Sequence, residues 1–366
     1  MDHGKAKGHC DAKIIAIQRM REVQTAWSHF DVGLPTLVEG KPGDLLSQLP
    51  QEDRRRLQDI PVGLLHSHDF AEGLEALAYG CHDGICFIAI DFRLPLFLRS
   101  MNEFLCAQLS PGDPSRDGIA SFDDNARGLV SNIGLFDTST IVQPREVQPG
   151  AMSDDGHIAA RILTLSQEYL LIAHEYGHFL LEHCGVNRLV PLEHQGGQCV
   201  LPSGVSLGIF SKSQMEELSA DSRGAELTLA AIHTGTNLSE AERDIATAGM
   251  EIFFLILHMM DEVLGPKAHA GVPTHPLGLD RWKSWRRHFS RRLTPRGEGI
   301  AVSAKRFMQA AARAYKSGRY GTMDNLSVKN SIPLSEVLGT APRNLSFSEF
   351  CRITHEWADK GGPHKT

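Results

Sequence analysis

The amino-acid sequence predicts an α+β fold that is mainly helical and carries a small antiparallel sheet. Residues 166–184 are apolar on nearly all sides of a helix, which is typical of a buried helix. Residues 239–264 predict a second long helix, because Ser239 and Glu242 can form a capping box at its start. Residues 84–92 (GICFIAIDF) are short and rich in Ile and Phe, which indicates a strand.

The composition is that of an ordinary globular protein. The chain has 366 residues, of which 42% are hydrophobic and 22% charged, enough for one large domain or two to three smaller ones. Its net charge of −7 does not favour nucleic acid or an anionic membrane as the main partner. The seven cysteines are odd in number and scattered, which indicates free thiols in a reducing cytoplasm. The N-terminus lacks the apolar run of a secretory signal. The longest apolar stretch, 252–260, is far shorter than the roughly 20 residues that a bilayer needs, so we expect a cytoplasmic protein without a transmembrane segment.

The first 150 residues are predicted to form an N-terminal α/β region, and the sequence assigns no role to it. Residues 11–28 have the spacing of an amphipathic helix. After the strand at 84–92, residues 96–109 predict a helix, and residues 128–136 are interpreted as a second strand.

One motif stands out in the middle of the chain. His174, Glu175 and His178 spell H-E-x-x-H within the predicted buried helix. Positions four apart lie on one face of a helix, so the two histidines can bind the same ion, while Glu175 lies about 100° round the helix and can reach a water beside it. Two histidines and a glutamate in a buried helix are costly without partners, and a metal ion provides those partners. The arrangement is typical of a zinc hydrolase, in which the Glu takes a proton from the water that the metal activates.

A catalytic zinc usually takes three protein ligands, so the motif requires a third one. Residues 215–232 predict a helix, and Glu217 on this helix, 39 residues after the second histidine of the motif, is a candidate for the third ligand. Glu216 and Glu226 remain alternatives on the same helix. A plain amphipathic helix with an acidic first turn would have the same pattern.

Other residues of that helix predict how it packs. The small residues Ala220 and Gly224 would let it approach the motif helix closely. Asp221 lies one turn after Glu217 on the same face, where it could accept the free N–H of a ligand histidine and fix its tautomer.

Three segments together resemble a known family. HEYGH at 174–178, followed by ELSAD at 217–221, is similar to the gluzincin metallopeptidases, above all the CAAX-prenyl-endopeptidase type and its soluble relatives. THPLGLDR at 274–281 is similar to the T-H-P-x-x-x-x-R element that those peptidases carry after the ligand helix. The resemblance implies a zincin-like catalytic core over residues 151–290 with Zn²⁺ as cofactor. The motif helix is equally similar to the repressor-cleaving cytoplasmic gluzincins, so the subfamily stays open.

The same resemblance implies roles for two further residues. It places His275 beside the metal, where a histidine can stabilise the tetrahedral intermediate or cap the zinc. Arg281 is then expected to brace the site through an acidic partner. The alternative for His275 is a plain His-Pro at the entry of a helix.

The remaining segments are predicted to frame the site. Residues 186–212 predict a long connection across it, which holds the further ligand candidates Glu193, His194 and Cys199. Residues 281–296 are basic with interleaved aromatic residues, which favours a helix that docks its aromatic side chains and leaves its arginines in water. Residues 291–366 are predicted to form a C-terminal helical region.

The sequence therefore predicts a zinc metalloendopeptidase acting on a protein or peptide substrate. Glu175 and His275 are the predicted catalytic residues, and His174, His178 and Glu217 the predicted metal ligands. Two alternatives stay open: a highly selective toxin- or defence-type protease with one host target, and a zincin-fold sensor module that does not cleave. The intact Glu175 argues against the second, since a pure binding module has no need of that carboxylate. Imidazole ligands suit several first-row metals, so ligand type alone does not single out zinc.

Overall fold

A computed structural model describes most of the chain between residues 41 and 320. The described residues are 41–60, 62–65, 76–79, 87–91, 93–111, 121–136, 147, 151–182, 197–200, 206–210, 212–235, 237–265 and 276–320. The predicted helix at 11–28 and most of the predicted C-terminal region, 321–366, lie outside them.

Helices make up most of the described chain. Within the described residues, the nine α-helices are α1 (Lys41–Ser47), α2 (Gln51–Leu57), α3 (Arg93–Leu109), α4 (Phe122–Phe136), α5 (Asp154–Leu180), α6 (Lys212–Ala230), α7 (Glu240–Leu264), α8 (Gly278–Phe289) and α9 (Pro295–Lys316). A π-helical turn, Ala231–Gly235, extends α6, and a 3₁₀ turn, Ser290–Arg292, follows α8. None of the described helices combines the length and apolar character needed to cross a bilayer.

The prediction of an α+β fold with a small antiparallel sheet is wrong, because the core of the described chain is helical. The strands are only four or five residues long: β1 (Val62–Leu65), β2 (Ala76–Tyr79), β3 (Phe87–Asp91), β4 (Gly197–Val200) and β5 (Ser206–Phe210). In the order β1-β3-β2, β1 runs parallel and β2 antiparallel to β3, while β4 and β5 form a separate antiparallel pair. Ile88 and Ile90 of β3 belong to the buried core.

Residues 128–136 are helical, so their prediction as a strand is wrong. In a short apolar segment, the periodicity of the sequence does not distinguish a buried strand from a buried helix. The deciding signal lies before it, where Ser121 and Asp124 cap the start of α4: the Asp124 N–H donates to Ser121 Oγ at 3.2 Å and the Ser121 N–H to Asp124 Oδ2 at 3.1 Å. Such a reciprocal pair satisfies N–H groups that the first helical turn leaves without partners.

The motif helix α5 lies at the centre of the fold. Ser153 caps its start by accepting the Gly156 N–H at 3.1 Å, and it packs against α3, α6 and α7. Most of its own residues are buried, as its apolar sequence predicts. It ends at Leu180, with Glu182 in a left-handed conformation (φ 58°), and so stops short of the predicted end at 184–185.

The capping box predicted for 239–264 is confirmed. Ser239 Oγ accepts the Glu242 N–H at 3.3 Å, and Glu242 accepts the Ser239 N–H at 2.8 Å. Helix α7 buries its apolar middle, and α8 and α9 pack on it. One continuous cluster of buried side chains runs from Leu45 of α1 to Tyr320 beyond α9. The proposed region boundaries at 150 and 290 stay a prediction.

The basic segment 281–296 takes the predicted form only in part, because Arg281 is largely buried in an ion pair with Asp221 and Arg286 pairs with Glu251. Its aromatic residues Trp285 and Phe289 are buried in the core. Lys283, Arg291 and Arg292 are exposed.

Candidate metal centre

Helix α5 directs the two histidines of the motif toward one point. His174 and His178 lie one turn apart, with ring centroids 4.7 Å apart and ring planes at 84°. Their Nε2 atoms are 3.1 Å apart. The side chains are only 12% and 9% exposed, so both imidazoles lie within the protein.

Helix α6 brings Glu217 to the same point. Its Oε2 lies 3.2 Å from His174 Nε2 and its Oε1 lies 3.4 Å from His178 Nε2. Ligand bonds of 2.0–2.2 Å in a tetrahedral zinc site place neighbouring ligand atoms about 3.3–3.5 Å apart. The three observed separations are close to those edges. Among the described residues, His174, His178 and Glu217 are the one group of three His, Cys, Asp or Glu side chains whose ligand atoms lie close enough together to hold a metal ion.

The two ligand helices touch through their backbones. A Cβ built on Gly224 of α6 would lie 2.8 Å from the backbone N and 2.9 Å from the Cα of His174. A Cβ on Gly177 of α5 would lie 3.0 Å from the carbonyl oxygen of Ala220. The prediction that Ala220 and Gly224 allow a close approach is confirmed. The same role of Gly177 is not among the predictions, although a glycine within HEYGH is a visible sign of a close helix contact.

Asp221 connects this pair of helices to a third. Its Oδ1 lies 3.0 Å from His174 Nδ1, within hydrogen-bonding distance. Arg281 of α8 donates to both oxygens of the same carboxylate, from Nε at 2.8 Å and from Nη2 at 2.5 Å. A bidentate Arg–carboxylate pair fixes orientation as well as charge. The structure thus brings together the two residues predicted to support the site.

The charges around His174 favour a cation. Burial disfavours the charged imidazole, but the carboxylates of Asp221 and Glu217 outweigh it and raise the pKa of His174 to about 10. Burial also acts to raise the pKa of Asp221, yet Arg281 and His174 hold it below its usual value. With Glu175 included, three carboxylates face one guanidinium, and a divalent cation would balance the difference of two charges. The donor set, its spacing and its charge therefore fit a divalent metal with nitrogen and oxygen ligands.

Glu175 is buried beside these ligands. It follows His174 directly on α5, and its charge acts on both His174 and Arg281. It is not a member of the ligand set, which agrees with the separate role predicted for it.

One contributor to the site had no individual signal in the sequence. The Phe254 ring of α7 lies under Arg281, with the guanidinium carbon 5.7 Å from the ring centroid. An aromatic face stabilises a cation at this range. The sequence predicts the helix over residues 239–264, but not which of its side chains would meet the arginine.

The remaining candidate residues either fall outside the described residues or do not belong to the ligand set. His275, Glu193 and His194 fall outside the described residues, so their roles stay predictions. Cys199 lies in β4. The alternative ligand Glu226 is exposed and pairs with Arg223 at 2.9 Å, and Glu216 does not belong to the ligand set.

Searches against protein-family models, curated proteins and solved structures found no match to this chain. A functional conclusion must therefore come from the residues of the site itself.

Proposed function

We propose that this protein is a zinc-dependent metalloendopeptidase that hydrolyses peptide bonds of a protein or peptide substrate. One observation carries the proposal: ligand atoms from α5 and α6 converge at separations of 3.1–3.4 Å, beside a buried glutamate that follows the first ligand. Two helices fixed by backbone contact supply a rigid mounting for such a site. The motif resemblance to the gluzincins points to the same chemistry.

Each ligand has a defined part in this proposal. His174 and His178 would bind the metal through Nε2, and Glu217 through its carboxylate. Asp221 Oδ1 lies 3.0 Å from His174 Nδ1 and would accept its proton, which would leave the Nε2 lone pair for the metal. A bound zinc ion supplies Lewis-acid chemistry, lowering the pKa of water and polarising a carbonyl group.

Glu175 serves as the general base and then as the general acid. Its carboxylate takes a proton from the water that attacks the substrate carbonyl carbon. When the C–N bond breaks, it gives that proton to the departing amine. A buried carboxylate outside the ligand set suits this exchange, because it can take the proton in one step and give it up in the next.

The proposal includes a cytoplasmic location. The scattered cysteines support it, and Cys106 is a free thiol buried in the core. Burial, aided by the charge of Glu103, raises the pKa of the Cys106 thiol to about 12, so it stays a packed, unreactive side chain.

Wild type and Glu175→Gln, compared for metal content and for proteolysis in a cell lysate, test the proposal. We expect one zinc per chain in both proteins and cleavage by wild type alone, and the lost band would identify the substrate. His178→Gln is the matched ligand control and should lose both zinc and cleavage. Zinc in both proteins with cleavage by neither would favour the non-cleaving sensor alternative, and no zinc in wild type would refute the ligand assignment.

A further inference from the structure

Helix α8 begins without a cap of its own. Its N-cap residue is Leu277, whose side chain makes no capping hydrogen bond. The carboxylate of Asp261, near the end of α7, supplies the missing acceptor: the Gly278 N–H donates to Asp261 Oδ2 at 2.6 Å. An acidic side chain at a helix start satisfies a free N–H group and stabilises the helix dipole.

The start of α8 also rests on the backbone of α7. A Cβ built on Gly278 would lie 2.3 Å from the backbone N of His258 and 2.7 Å from its Cα. Only glycine fits at this distance, so the first residue of α8 touches α7 one turn before Asp261. The hydrogen bond and the contact together fix where α8 begins.

This start controls where Arg281 lies. Arg281 follows Gly278 by three residues, less than one helical turn. Its guanidinium holds Asp221 at 2.8 and 2.5 Å, and Asp221 holds His174 at 3.0 Å. A displacement of the first turn of α8 would pass along this series of contacts to the imidazole.

A second carboxylate of α7 holds the middle and end of α8. Glu251 accepts the Trp282 Nε1–H at 3.0 Å and pairs with Arg286 at 3.1 Å. Loss of Asp261 would thus loosen the first turn of α8, which would keep its Gly278 contact with α7, while Glu251 holds the rest of the helix docked. Of these two carboxylates, Asp261 is the one that acts on the turn leading to Arg281.

We propose that Asp261 is a positioning residue of the metal centre, which it orders by capping the helix that carries Arg281. This inference rests on the proposed function, since it assumes that the site binds zinc. Residues that orient a metal ligand through hydrogen bonds change metal affinity by about 10- to 100-fold. Asp261 acts through Arg281 and Asp221, so we expect the lower end of that range, about tenfold.

Three variants test the role of Asp261. Asp261→Ala removes the acceptor and should lower zinc affinity about tenfold, measured by competition with a chelator. Asp261→Asn keeps an oxygen acceptor without the charge and should restore most of that affinity. Thr294→Ala is the matched control: Thr294 caps α9 by accepting the Gly297 N–H at 3.2 Å, and none of its described contacts involves the metal centre.

Thermal unfolding of the metal-free proteins separates positioning from general damage. Asp261→Ala and Thr294→Ala should lower the melting temperature to a similar extent, because each removes one helix cap. Only Asp261→Ala should weaken zinc binding. Unchanged zinc affinity in Asp261→Ala, or an equal loss in Thr294→Ala, would overturn the inference and leave the proposed function standing. A wild type that binds no zinc would overturn both.

Discussion

The close contact between α5 and α6 gives the sharpest prediction, which concerns Gly224→Ala. The new methyl group would lie 2.8 Å from the His174 backbone N, 2.9 Å from its Cα and 3.1 Å from the Ala173 carbonyl carbon. These atoms belong to the middle of a buried helix and cannot rotate away. Ordinary contact begins near 3.4 Å, so the two helices must separate by about 0.6 Å.

Such a separation is large for a metal site and moderate for a core. Metal–ligand distances tolerate about 0.2 Å, so Glu217 would move out of register with His174 and His178. Overpacking of a core costs about 1–3 kcal/mol, and the better helix propensity of Ala offsets about 1 kcal/mol of it. We therefore expect a loss of zero to about 2 kcal/mol in the free energy of unfolding of the metal-free protein, but a loss of at least tenfold in zinc affinity.

Chelator competition and urea unfolding measure these two quantities. Gly299→Ala is the matched control: Gly299 lies in α9, is exposed and has nothing within 4 Å of a built Cβ. It should raise the free energy of unfolding by about 0.5–1 kcal/mol and leave zinc affinity unchanged. If Gly224→Ala binds zinc as tightly as Gly299→Ala does, the backbone contact does not set the ligand geometry, and the reasoning fails.

Three further predictions concern charges and the metal. Arg281→Leu leaves Asp221 buried without its guanidinium and should cost about 3–5 kcal/mol in the free energy of unfolding; a loss below 1 kcal/mol in urea unfolding would show that the pair does not matter. Lys41 and Glu168 form a second buried ion pair, 3.0 Å apart with side chains 4% and 1% exposed. Lys41→Met alone should lower the free energy of unfolding by about 3 kcal/mol, and the double variant Lys41→Met/Glu168→Leu should recover much of that loss. Equal losses in the single and the double variant would contradict this prediction. Chelation should lower the melting temperature of zinc-loaded wild type and leave that of His178→Gln unchanged. A ligand present at 100 times its Kd adds about 2.7 kcal/mol to the free energy of unfolding, and chelation removes this contribution. An equal effect on both proteins would place the metal elsewhere.

Local patterns predicted the helices of this fold better than its class. The helix over residues 239–264 could be predicted because its signals lie within one short segment of sequence. The structure has both the capping box of Ser239 and Glu242 and the buried apolar residues of this helix. Whether a fold has a sheet at its centre depends on which segments pair at a distance, and that is not written in any one window. The strand β3 falls within the predicted 84–92, and its Ile88 and Ile90 are buried, but most of the buried core in the described residues comes from helices.

Spacing explains why the ligand set could be proposed from sequence. His174 and His178 share a face by helix geometry alone, whereas Glu217 is preferred because ELSAD at 217–221 resembles the gluzincin pattern. The capping of α8 by Asp261 could not be foreseen. It joins residues 17 apart across segment 266–275, and neither residue departs from an ordinary helix end or start.

Protein groups alone already hold the residues of the candidate metal site in place. Structural zinc sites in small domains supply the folding energy, and those domains unfold without the ion. Here α5 and α6 touch through backbone atoms, Asp221 is already paired with Arg281, and a continuous buried core surrounds the ligand helices. Because these contacts do not involve the metal, the ligands are held in place before it binds. A binding site that keeps its geometry without its ion loses little conformational entropy on binding, which suits a catalytic centre rather than a structural one.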